Sequence, residues 1–123
     1  MCKALVIIMF VSVFALAKDV KTSVPTKLLS AKTVYIDNQS GYQTFADTVQ
    51  KELANRFSFV SDSAGSDLVL RLTSKTDAGA YLYVTLTVLD ENRVLWTNTK
   101  IWTRLGRNGP RDVSRDLLKF MRQ

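Results

Sequence analysis

The stretch KTVYIDNQSGYQTFADTVQKEL, residues 32–53, decides the fold. Its first part alternates, with Val34 and Ile36 on one side and Tyr35 and Asp37 on the other, the period of a half-buried strand. The segment NQSG, residues 38–41, breaks that alternation. Beyond it Phe45, Ala46, Val49 and Leu53 share one stripe of a helical wheel, so a helix from Gly41 or Tyr42 through Asn55 can lay an apolar face on a sheet. Ser40 with Gln43, or Thr44 with Asp47, is spaced to cap its start. A phosphate-cradling loop gathers backbone amides through several glycines. NQSG has one glycine and no lysine after it, so it reads as a structural turn, with Asn38, Gln39 and Tyr42 exposed for contact.

Strand patterns follow toward the C-terminus. RFSFVS alternates through Phe57 and Phe59, and DSAGSD then turns the chain. DLVLRLTS sets Leu68, Leu70 and Leu72 against Val69, Arg71 and Thr73. AYLYVTLTVL sets Leu82, Val84, Leu86 and Val88 against Tyr81, Tyr83, Thr85 and Thr87. The short DEN connection makes that run an antiparallel hairpin with RVLWTNTKIWTR. The phase of this last strand stays open, because Leu95 and Ile101 compete with Trp96 and Trp102 for the inner side. Pro110 suits a first helical turn, and Val113, Leu117, Phe120 and Met121 recur at helical spacing. The order β-α-β-β-β-β-α predicts an α+β, two-layer sandwich with two helices on one face of a mainly antiparallel sheet.

Toward the N-terminus, Lys3 precedes an apolar run from Ala4 to Phe14. Ala15, Leu16 and Ala17 then give the small-x-small pattern before Lys18 and Asp19. That order reads as a signal peptide, residues 1–17, cleaved after Ala17; the run is shorter than the roughly 20 apolar residues a membrane span needs. Residues 18–31 are polar, contain Pro25 and read as an exposed leader. Residues 32–123 then form a single domain, delivered to the periplasm or secreted. The only cysteine, Cys2, lies within the signal, so the mature chain is expected to hold no disulfide and no thiolate ligand.

The chain has no histidine, which removes His-dependent nucleophilic schemes and the commonest zinc ligand. Its acids fall mostly at strand ends and turns, as Asp62, Asp67, Asp77, Asp90 and Glu91 show, where they are usual turn formers. No catalytic residue, metal site or cofactor is expected. Formal net charge is +6, and the basic excess lies from Arg93 onward, where Asp112 and Asp116 are the only acids. Such an end attracts nucleic acid, anionic lipid or an acidic partner, and export argues against nucleic acid.

Two surfaces are candidates for partner binding. If the alternation holds, Tyr81 and Tyr83 point away from the helices, with Trp96 and Trp102 beside them should the last strand take that phase. Such an amphipathic face suits an interface, although tyrosine and threonine are also ordinary strand formers on a wet face. The last helix carries Arg111, Arg115 and Lys119 opposite its apolar stripe, a face for anionic lipid or lipopolysaccharide. It is otherwise a solvated face in which Asp112 and Asp116 pair with Arg115 and Lys119.

The run KTVYIDNQSGYQTFADTVQKELANRFSFVSDSAGSDLVLRL, together with VTLTVLDENRVLWTNT, resembles small bacterial envelope domains. These are the TolB amino-terminal domain and the CsgG and LptE types, and the resemblance covers about residues 32–103. It rests on a strand ending in a polar loop, an amphipathic helix ending near ELANR, a DLVL strand and a hairpin with an acidic turn. The resemblance implies an envelope domain that docks to other proteins or to lipid-bearing assemblies, without catalysis; the uncovered sheet face, or a sheet edge, is expected to take an envelope protein or a second copy of the chain. Many such proteins carry a lipid-attachment cysteine at the cleavage site. This chain has none there, which favours a soluble exported form.

Overall fold

The computed structural model describes residues 23–77, 81–104 and 106–123. The signal-peptide assignment, Cys2 and the first residues of the leader lie outside them. A short helix α1 (Thr26–Ser30) leads into strand β1 (Thr33–Asn38), helix α2 (Gln43–Leu53) and a brief strand β2 (Ser58–Phe59). Three long strands follow, β3 (Leu68–Thr76), β4 (Leu82–Asp90) and β5 (Arg93–Trp102), and helix α3 (Gly109–Met121) closes the described chain. Among the described residues no helix is long and apolar enough to cross a membrane.

The strands form one sheet in the order β2-β1-β3-β4-β5. A helix between β1 and β2 returns the chain to its starting edge, so the two strands run parallel. β1 is also parallel to β3, while β3, β4 and β5 are successively antiparallel. The sheet is therefore mixed, with its antiparallel part the larger, and the α+β architecture expected from the alternation is present.

One face of the sheet supplies the core. Leu68, Leu70 and Leu72 on β3, with Val84, Leu86 and Val88 on β4, are all at most 1% exposed. Phe45, Val49 and Leu53 of α2 and Val113 and Leu117 of α3 are fully buried above them. Burying each such side chain is worth roughly 1.5–3 kcal/mol, so the stripes legible in both helices fix which face they cover. α2 packs on β1, α3 on β4 and β5, and the helices pack against each other.

Three local expectations are corrected. Residues up to 31 are not all an exposed leader: Leu28 of α1 and Ala31 belong to the core. Arg56 holds α1 there, its guanidinium donating to the carbonyls of Ala31 (2.8 Å), Leu28 (3.2 Å) and Leu29 (2.7 Å) and lying 4.5 Å from the centroid of the Phe57 ring. α2 starts later than expected and has no side-chain cap at Tyr42. Gly41 takes a left-handed φ of 84°, and Ser40 serves the loop, donating to Asn38 Oδ1 (2.6 Å) and accepting from the Tyr42 amide (3.1 Å). Gln43 and Asp47 bond each other instead of closing a capping box. The segment RFSFVS yields a strand of only two residues, because Phe57 has already turned into the core.

Candidate interaction surfaces

The register of β5 settles its phase. Trp96, Asn98, Lys100 and Trp102 stand opposite Val88, Leu86, Val84 and Leu82, and cross-strand partners share a face. Both tryptophans therefore lie on the helix-bearing side. Trp96 stacks on Phe120 of α3 at 6.1 Å and 28°, and Trp102 meets Tyr42 edge-on at 5.6 Å and 69°. Asn98 donates to Asp116 Oδ2 (2.8 Å), and Lys100 lies 3.1 Å from the same atom. These contacts clip α3 to the edge strand.

The expected aromatic surface is thus split. Tyr81, 51% exposed, and the half-buried Tyr83 remain on the other side, with Tyr83 opposite Lys75 and Ile101. No helix or strand among the described elements covers that outer face. Its centre is hydroxylated: Thr85 and Thr99 bond at 2.7 Å and Thr87 and Thr97 at 3.0 Å. Asp37 and Arg71 pair at 3.2 Å beside this ladder. A bulge between Val88 and Leu89 shifts the hairpin register before the Glu91–Asn92 turn.

The basic helix face is also rearranged. Arg115 bonds Glu52 of α2 at 2.9 Å, Asp116 serves β5, and Arg111 bonds Asp112 at 3.3 Å. The expected pairs within the helix do not form, because partners on neighbouring elements lie within reach. Lys119 is exposed near the end of the helix. Val113, Leu117 and Met121 are buried, so α3 keeps no apolar stripe with which to enter a bilayer.

At the end of the sheet, Trp102 and Arg111 meet two residues the sequence reading passed over, Arg104 and Arg107, in a cleft of about 360 Å³. The signal was present in TRLGRNGPR, residues 103–111, whose three arginines alternate with turn-forming glycines. Arg107 donates its amide to Thr103 Oγ1 (3.2 Å) and accepts the Thr103 amide at its carbonyl (2.9 Å). Gly106 within this turn has φ 118°, a left-handed value that a side chain would strain.

Two acids of the β2–β3 connection accept backbone amides. Asp62 accepts the Ala64 amide at 3.0 Å. Asp67 accepts the amides of Lys32 (2.8 Å) and Thr33 (3.2 Å), and these bonds hold its carboxyl below the usual aspartate range. Among the described residues no group of three or more His, Cys, Asp or Glu side chains is placed to hold a metal ion. Compared with known proteins, the chain matches no family model and no curated protein.

Proposed function

We propose that the chain is a non-catalytic binding domain of the bacterial cell envelope, exported and acting by strand addition along β5. The supporting observation is the edge itself: β5 is ten residues long and pairs on one side only, with β4. An edge strand of that length presents a row of free backbone donors and acceptors, which is the template that β-augmentation uses. Its defences are few. From Val94 to Trp102 the only charged residue is Lys100, and that side chain is drawn onto Asp116.

The threonine ladder gives the added strand its specificity on the outer face, where Thr97 and Thr99 are exposed. An extended segment of an envelope protein with small hydroxylated or β-branched residues in alternate positions continues that ladder. A second copy does so as well: an antiparallel register centred on Asn98 sets Thr97 of one β5 opposite Thr99 of the other.

The test uses two edges of one molecule. Thr97→Lys/Thr99→Lys places charge on the β5 edge, and Ser58→Lys does so on the β2 edge. Sedimentation of the protein alone and affinity capture from envelope extract are read for both variants against the wild type. The self-association or the captured partner is expected to be lost with the first and kept with the second. Equal behaviour of the two variants, or a wild-type monomer that captures nothing, overturns the reading.

A further inference from the structure

The β5–α3 corner lies apart from the outer threonine ladder, and its chemistry differs. Arg104, Arg107 and Arg111 line one cleft with Trp102, and Trp102 with Arg104 also walls a second cleft, of about 360 Å³, whose other side is Tyr42 and Leu82. One half of the corner is cationic and the other apolar and aromatic.

The cationic half is held in place. Two hydrogen bonds between Thr103 and Arg107 close the turn, and Gly106 supplies its left-handed residue. Gly109 sets the start of α3 hard against the sheet: a Cβ there would meet Val84 Cγ2 at 2.6 Å and the Ile101 carbonyl oxygen at 3.0 Å. That close approach brings Arg111 to the end of β5. Three arginines are thus brought to one cleft by backbone geometry, although like charges repel. Asp112, bonded to Arg111, offsets one of them. Among the described residues no carboxylate forms an ion pair with Arg104 or Arg107.

We propose that this corner binds a phosphate monoester whose body is a ring or other apolar group. A phosphate monoester carries about −1.5 to −2 charge at neutral pH, which matches the two arginines left uncompensated. Planar guanidinium forks suit phosphate oxygens in a way that point charges do not. The body of the ester lies against Trp102, Tyr42 and Leu82, since binding clefts pair a few polar anchors with apolar walls. Soluble esters and the phosphomonoester head group of a lipid present the same chemistry.

The two sources separate in one experiment. The wild-type protein is titrated by calorimetry with phenyl phosphate, and in parallel with vesicles of phosphatidylcholine doped with phosphatidic acid. Binding of phenyl phosphate marks a soluble ligand, and binding of the vesicles alone marks a lipid head group. In either arm Arg104→Ala/Arg107→Ala is expected to weaken binding at least tenfold. Arg93→Ala, which removes a cation from the far end of β5, leaves it unchanged, as does the Thr97→Lys/Thr99→Lys variant used for the edge. Failure of both probes to bind, or an arginine variant that binds as the wild type does, overturns the proposal.

Discussion

The two edges of the sheet are built differently. β2 contributes two residues and is flanked by a loop tied to the start of β1 through Asp67. β5 contributes ten residues, held by β4 on one side and by α3 across its inner face. Short edges protect themselves by offering few free backbone groups, whereas long ones must be charged, bent or covered. Apart from Arg93 at its hairpin end, β5 has only the bulge near that hairpin and one lysine, so it is the edge on which the proposed strand addition rests. The same contrast explains where α3 puts its polar groups: Asp116 orders the inner side of β5 while leaving the outward side free.

The largest effect comes from loosening the open edge. Trp96→Ala removes the stacked contact with Phe120 and part of the core margin, a loss of about 3 kcal/mol by the usual cost of truncating a large packed aromatic. Urea unfolding reads it. A change below about 0.5 kcal/mol, the level of an ordinary surface substitution, would mean that α3 does not order β5 and that the two edges are less different than they look.

The protected edge has its own fastening. Arg56→Ala strips three carbonyls of a charged donor and frees α1, an expected loss of about 2 kcal/mol. Amide exchange should then rise in Thr26–Ser30 and leave β5 unchanged. If exchange rises equally in β5, the two sides of the sheet do not behave as separate units.

The smallest effect sharpens the contrast through pH. Asp67 has its pKa lowered chiefly by the Lys32 and Thr33 amides. Its stabilisation is therefore complete above the unfolded value, near pH 4, and is lost as pH falls through the lower folded value. Asp67→Asn should be less stable than the wild type at neutral pH, and the gap should close in acid. A gap that is independent of pH would remove the ionised carboxylate from the account. The exposed position of Asp67 keeps the effect modest.

Much of this fold was legible because the buried strands alternate cleanly. Leu68, Leu70 and Leu72, like Val84, Leu86 and Val88, leave no choice of face, and both long helices carry a single stripe. The phase of β5 was not legible, since Leu95 and Ile101 are as apolar as Trp96 and Trp102. Only the cross-strand register and the ring of Phe120 decide between them. α1 escaped because five residues show no period, and the burial of Leu28 instead of the adjacent Leu29 depends on where Arg56 ties the turn.

The candidate surfaces were half visible. Arg111 stood out on its helix, but Arg104 and Arg107 lie in a turn without periodicity, and only folding brings them to Trp102 and Tyr42. Tyr81 and Tyr83 were placed on the uncovered face by alternation alone. What the sequence left open was the side that Trp96 and Trp102 take. They turn inward, where Trp96 meets Phe120 and Trp102 meets Tyr42.

Residue-resolved amide exchange, free and in the captured complex or the self-associated form, tests the open edge most directly. Slowed exchange on binding is expected to concentrate in Arg93–Trp102 and to leave Ser58–Phe59 as it was. Slowing confined to other segments, with β5 exchanging as freely bound as unbound, would contradict it.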